Sequence, residues 1–196
     1  MGKYKVTVGN FFWNTCFIEN IIYFTVVNIL LTGLPKSGKT TLIKNIAFEL
    51  KSPIAGFFTS QIMQNGDRVG FSLVTFSGKS AILAHQNFPS VYKIGKYKVN
   101  LRDFEEIGIR EIEQAICSDK IIVIDEIGKM ELLSPKFLEV VRKALDSKNK
   151  VLATVLYTEH PQLDKLKKRK DVELVTVTPE NRGSLLEQIS KKLDGD

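Results

Sequence analysis

Gly33, Leu34, Pro35, Lys36, Ser37, Gly38, Lys39 and Thr40 form a complete G-x-x-x-x-G-K-[ST] loop, followed by Thr41. Residues of these types at this spacing make a phosphate cradle. Glycine lets the main chain curl around an anion with no Cβ in the way, so successive N–H groups and the start of the next helix face the charge. Lys39 adds a point charge for β- and γ-phosphate oxygens. Thr40 offers a hydroxyl to Mg²⁺, an ion that takes hard oxygen ligands and travels with triphosphates. Further along, Ile121-Ile122-Val123-Ile124 ends in Asp125-Glu126. An acid at the carboxyl end of a buried strand can hold the same ion, and a second acid beside it can accept a proton from the water that attacks a terminal phosphorus. Thr40 and Asp125 are thus the candidate metal ligands, and Lys39 and Glu126 candidate catalytic groups. Phosphoryl transfer also benefits from a cation over the transferring group, for which Lys129 and Arg182 are the candidates. Each residue has a plainer reading: acids end strands by capping the next turn, and surface cations pair with neighbouring carboxylates.

The elements needed to hold these residues are legible. Val26, Val27, Ile29, Leu30 and Leu31 make a buried-strand run into the loop, and Leu42, Ile43, Ile46, Ala47 and Leu50 follow at helical spacing. Phe57-Phe58-Thr59, Val69 to Phe76 and Ala81 to Ala84 are β-type runs divided by Asn65-Gly66 and Ser77-Gly78, which predicts an antiparallel appendage. Leu101, Phe104, Ile107, Ile112 and Ile116 predict a helix ahead of the Ile121 strand. Ser134-Pro135 predicts an N-cap and first helical residue for a helix bearing Leu138, Val141 and Leu145. Val151 to Leu156 reads as a strand, Pro161 as the start of a short basic helix, Val172 to Val177 as a strand, and Thr178-Pro179 as the cap of a last helix with Leu185, Leu186, Ile189 and Leu193. Such alternation predicts a mostly parallel α/β sheet covered by helices, with ligands at the carboxyl ends of its strands.

The 196 residues suit one domain, taken as residues 26–196. Hydrophobic residues at 43% and charged ones at 26% exclude a disordered or collagen-like chain and a multi-span membrane protein. The net charge of +6 suits polyanionic ligands. Two cysteines, Cys16 and Cys117, form neither a metal spacing nor a disulfide framework, which points to a reducing, cytoplasmic setting. Residues 1–25 are an arm of unknown role. Its hydrophobic stretch is interrupted by Asn14, Glu19 and Asn20, so an added strand or packing arm is expected rather than a membrane span.

Gly33 to Leu42, Gly56-Phe57-Phe58-Thr59, Arg68-Val69-Gly70-Phe71, Gly95-Lys96-Tyr97, Asp125-Glu126-Ile127-Gly128-Lys129-Met130-Glu131-Leu132 and Thr178 to Arg182 together resemble the nucleoside-triphosphatase family that includes the human cancer-related enzyme. The resemblance spans about Val27 to Leu193. It implies a three-layer P-loop fold, RecA-like or adenylate-kinase-like, and slow Mg²⁺-dependent hydrolysis of ATP, GTP and other nucleoside triphosphates. Leu34 and Lys36 depart from the family's G-P-P-G-x-G-K-T, and Lys36 adds charge beside the phosphates.

Asp125-Glu126-Ile127-Gly128 satisfies the D-x-x-G of GTPases, yet no N-K-x-D stands downstream to read guanine, so all of ATP, GTP, CTP and UTP are expected substrates. Two other uses of the loop stay open: a small-molecule or nucleotide kinase, against which the six scattered arginines (68, 102, 110, 142, 169 and 182) count, and a nucleotide-gated binding module. The run Lys165, Lys167, Lys168, Arg169 and Lys170 lacks an aromatic platform and reads as a solvated helix face, so no nucleic acid partner is expected. Cys117 is expected to be a buried structural thiol, Tyr97 to pack, and His160 to cap the helix at Pro161. Oligomeric state is not written in the sequence.

Overall fold

The computed structural model describes residues 28–195. The expectations for the arm at 1–25 and for Val26 and Val27 lie outside the described residues. In chain order the elements are β1 (Asn28–Thr32), α1 (Lys39–Glu49), β2 (Ile54–Gln64), β3 (Asp67–Thr75), β4 (Ser80–His85), β5 (Lys93–Ile94), β6 (Tyr97–Val99), α2 (Leu101–Asp103), a π-helical stretch (Phe104–Ile109), α3 (Arg110–Ile116), β7 (Ile121–Ile127), a 3₁₀ turn (Glu131–Leu133), α4 (Pro135–Asp146), β8 (Val151–Val155), α5 (Pro161–Lys167), β9 (Val172–Thr176) and α6 (Arg182–Asp194). Among the described residues the strands form one nine-stranded sheet in the order β5-β6-β4-β3-β2-β7-β8-β1-β9. β2, β7, β8, β1 and β9 run parallel, and β3, β4, β6 and β5 extend the sheet antiparallel.

Period-2 alternation along the parallel strands splits the core into two layers. Leu30, Ile122, Ile124, Ala153 and Val155 face one way, against Ile112, Phe137, Val141 and Leu163 of α3, α4 and α5. Ile29, Leu31, Ile121, Val123 and Leu152 face the other, against Leu42, Ile43 and Ile46 of α1 and Ile189 and Leu193 of α6. The strands are apolar at successive positions because both faces are covered.

β2 is longer than the sequence run suggests. Ile54 to Phe57 pair in parallel with β7, and Phe57 to Gln64 pair antiparallel with β3, so one strand joins the core to the hairpin. Asn65 and Gly66 both take positive φ, 51° and 86°, as a two-residue hairpin turn demands. The helix expected from Leu101 is interrupted by the π-helical stretch. Ile107 and Ile112 stand five apart, and the π turn absorbs that spacing, letting Phe104, Ile109 and Ile112 all reach the core. Ser134 does occupy the N-cap position with Pro135 after it, yet its hydroxyl donates to Glu105 Oε1 at 2.7 Å rather than capping. The last helix begins at Arg182, not at Thr178-Pro179: the Thr178 N–H donates to Asn181 Oδ1 (2.8 Å) and the Asn181 N–H to Thr178 Oγ1 (3.4 Å), closing a separate turn first. His160 stands at the N-cap of α5, where its backbone N–H donates to Asp164 Oδ2. Cys117 is exposed, contrary to expectation, because it follows the last buried turn of α3 as its C-cap.

Phe57, Phe104 and Phe137 form a three-ring cluster, with centroids 5.2–6.3 Å apart, between the start of the hairpin and the helices. Phe137→Ala should therefore cost about 3–5 kcal/mol. Urea unfolding checks this, and a loss below about 1 kcal/mol would show that the cluster is not a keystone.

Candidate active site

The loop leaves β1 and feeds α1 through Gly38, the helix N-cap, whose φ of 96° suits glycine. No acid stands in the first turn of α1, so its positive end is not compensated from within. Lys36 also takes a positive φ, 67°. Glycine would take this conformation freely, and Lys36 holds it at a strain of about 1–2 kcal/mol. Lys39 Nζ donates to the carbonyls of Gly33 (2.9 Å) and Leu34 (3.0 Å), holding the ammonium over its own loop.

β8 lies between β1 and β7, and the two motifs meet across it. Asp125, 1% exposed, accepts from Thr40 Oγ1 at 3.2 Å and from Thr154 Oγ1 of β8 at 2.7 Å, both through Oδ1. Its Oδ2 is buried with no hydrogen-bond partner among the described residues. A buried anionic oxygen left unmatched beside a threonine hydroxyl is a donor set that fits Mg²⁺ or its water. Burial pushes the Asp125 carboxyl up, against the two hydroxyls and the charge of Lys44. Lys44, one helical turn after Thr40, donates to Ser60 Oγ at 3.0 Å and stacks 4.2 Å over the Phe58 ring. Half-burial lowers its ammonium pKa, and Asp125 opposes that.

At Asp125 and Glu126 the register of β7 on β8 shifts, between Ile124 and Ile127. Burial, then the Asp125 charge, raises the Glu126 pKa, and Lys39 opposes the rise. Glu131, 5% exposed, is pushed up to about 8 by burial, with Glu126 and Asp125 adding to the effect. A Cβ on Gly128 would lie 3.0 Å from Glu131 Oε2 and 3.3 Å from Glu126 Oε1, so the two carboxyls converge on that glycine. Arg182 lies against the loop: a Cβ on Gly38 would meet its Nη1 at 2.9 Å. Lys129 is exposed past the end of β7. Thr41 is exposed on the first turn of α1.

A cavity of about 430 Å³ opens beside the loop, lined by Leu34, Pro35, Tyr157, Val177, Pro179 and Glu180 among others. A smaller one, about 190 Å³, sits at the amino-terminal edge of β7 and β8, at the far end of those strands from Asp125.

A family described as NTPase matches residues 28–190. The chain is 47% identical over 163 residues to the nucleoside-triphosphatase THEP1 of Thermotoga sp. (strain RQ2), covering 83% of this chain and 93% of that one. It is 37% identical over 178 residues to the human cancer-related nucleoside-triphosphatase, covering 83% and 94%. The chain belongs to the nucleoside-triphosphatase family. Its fold is likewise that of a P-loop nucleoside-triphosphatase: the crystal structure of THEP1 from Aquifex aeolicus superposes with a TM-score of 0.78 at 38% identity, over 85% of this chain and 99% of that one. The solution structure of the human cancer-related nucleoside-triphosphatase gives 0.75 at 35%, over 86% and 98%.

Sequence reading of this nucleoside-triphosphatase nominated neither Lys44, Thr154, Tyr157 nor Glu131. Lys44 repeats the Thr40 face one turn on, Thr154 is a polar residue in the apolar run of β8, and Glu131 lies inside the quoted Asp125 to Leu132 motif. Two of the five cations in the basic run at Lys165 to Lys170 are matched by acids, Lys167 by Asp164 and Arg169 by Asp146 and Asp171. Tyr97 packs, edge-on to Phe71 with its hydroxyl on Arg68. Among the described residues no helix is long and apolar enough to cross a membrane.

Gly38→Ala adds a methyl at a positive φ and displaces Arg182, at a strain of about 1–3 kcal/mol. It should weaken triphosphate binding by about tenfold or more, read as Kd by titration, and an unchanged Kd would refute the placement. Glu131 yields a pH prediction. A folded pKa near 8, above the ordinary 4.5, means that the folded chain holds a proton the unfolded chain releases. The associated stability is whole below pH 4.5 and lost as pH rises through 8. Between pH 6 and 9 the parent's Tm should therefore fall by about 5 °C or more relative to Glu131→Gln, and parallel curves would exclude a neutral buried acid.

Proposed function

We propose that this chain hydrolyses nucleoside triphosphates to diphosphate and phosphate in a Mg²⁺-dependent reaction that tolerates any of the common bases. The observation that carries the reading is the contact of Thr40 with Asp125, which joins the phosphate loop to the acid pair. Loop N–H groups between Gly33 and Thr40, Pro35 excepted, with Thr41 behind them, take the β- and γ-phosphate oxygens, and Lys39 exchanges its carbonyl partners for them. Thr40 and Asp125 would hold Mg²⁺, which when bound shields phosphoryl charge. Glu126 accepts a proton from the attacking water as the new oxygen–phosphorus bond forms in line with the bond to the leaving diphosphate. Burial and the Asp125 charge raise its basicity, which supports this role. Of the two candidate cations, the contact with Gly38 favours Arg182 for charge neutralisation over the exposed Lys129.

The cavity beside the loop is the proposed base subsite. Tyr157 and the prolines offer stacking faces, and stacking accepts every base. Phosphate release from ATP, GTP, CTP and UTP should give kcat/KM values within about tenfold of one another, since no built hydrogen-bond reader rejects three of them. Chelation should abolish turnover, and Lys39→Ala should lose binding. Glu126→Gln should slow kcat by at least about 10² with nucleotide still bound. Tyr157→Ala should raise KM about fivefold or more for all four. Diphosphate formation that depends on an added acceptor would instead identify a kinase.

A further inference from the structure

Glu131 has no part in the steps above, although its surroundings single it out. It is buried in the 3₁₀ turn after β7, and no cation pairs with it among the described residues. Its carboxyl and that of Glu126 approach the same point above the Cα of Gly128, within 3.0 and 3.3 Å. Only a residue without a side chain leaves that space open. Two buried carboxyls so placed cannot both be charged at modest cost, and the more deeply buried keeps the proton. Glu131 is the one pushed up to about 8.

The charged groups around it agree. From β7 come Glu126 and Asp125, both raising it, while its own N–H and that of Gly128 oppose. From the loop side Lys39 acts on Glu126, and from α1 Lys44 acts on Asp125. Glu105 of the π-helical stretch is occupied by Ser134 and Lys136, and Arg68 across β6 by Tyr97. Lys129 is exposed.

We propose that Glu131 is a positioning residue for hydrolysis: as a neutral acid it donates a hydrogen bond to the Glu126 carboxylate across the space that Gly128 leaves open, fixing how Glu126 meets the attacking water. The proton stays on Glu131, and the water's proton goes to the other Glu126 oxygen. The inference rests on the reading of Glu126 given above.

The test uses the full chain with ATP and Mg²⁺ from pH 6 to 9.5, recording kcat, KM and ATP affinity. Glu131→Ala and Gly128→Ala should each lower kcat about 10–100-fold with KM within about twofold, and Glu131→Gln, which keeps a donor, should rescue kcat to within about fivefold of the parent. The parent's kcat should decline above pH 8 as Glu131 ionises, and Glu131→Gln should lack that decline. Adding Glu131→Ala to Glu126→Gln should slow nothing further, as befits a residue acting through Glu126. Glu131→Gln as slow as Glu131→Ala, Glu131→Ala at the parental rate, or losses that multiply in the double variant would each overturn the proposal. Glu126→Gln at the parental rate is a different result: it removes the reading of Glu126 itself.

Discussion

A carboxylate sunk to 1% exposure at the end of an apolar strand is the constraint around which this site is built. Asp125 is expensive where it stands, since burial disfavours its charge, and it persists because three elements answer it. α1 supplies Thr40 and Lys44, β8 supplies Thr154, and β2 supplies the backbone of Thr59. The parallel order β7-β8-β1 is what makes this possible. It sets β8 between the acid and the loop, so that a threonine in an otherwise apolar strand donates to the acid that Thr40 reaches from the loop side. The remaining oxygen, Oδ2, is buried without a hydrogen-bond partner among the described residues.

The antiparallel extension serves the same end of the sheet. β2 runs on past its pairing with β7 and carries Phe58 and Ser60 to Lys44. At its far side Tyr97, Val99 and Ala84 make a small cluster on which Met130 and Leu133 pack. Met130 precedes the turn that holds Glu131, and Leu133 ends it. The segment from Asp125 to Leu133 is thus anchored at both ends, by the β7 ladder and by the β6 cluster, and its acids are held in unlike surroundings. Asp125 touches hydroxyls, Glu126 feels Lys39, and Glu131 has only backbone amides and like charges.

Strand, loop and helix around Gly33 to Leu50, the Asn65-Gly66 turn and the alternation of the second half were legible because each rests on local periodicity or on turn chemistry. The π turn at Phe104 to Ile109 was not, although the five-residue step from Ile107 to Ile112 carries it, because a helical template absorbs one irregular spacing unnoticed. The N-terminus of α6 shifted because Asn181 and Thr178 satisfy one another before the helix starts, a choice among equivalent side-chain bonds that spacing does not decide. Cys117 illustrates how one residue of helix phase exchanges core for solvent. In the site, the loop and the acid pair announced themselves by residue type. Lys44, Thr154 and Glu131 did not, since their meaning comes from which strands become neighbours.

Lys36 and Arg182 show how the loop departs from a simple anion cradle. Lys36 holds a backbone conformation that glycine would adopt freely, so the loop carries strain at its apex. Gly38 holds a second such conformation, and there the absence of a side chain is used, because Arg182 occupies the space a Cβ would need. The guanidinium comes from the start of α6, which packs on α1 through the core formed by Leu42, Ile43, Ile46, Ile189 and Leu193. The position of a cation beside the phosphate loop is therefore set by the packing of two helices rather than by the loop sequence. A change in that core that rotated α6 would move Arg182 while leaving every loop residue in place.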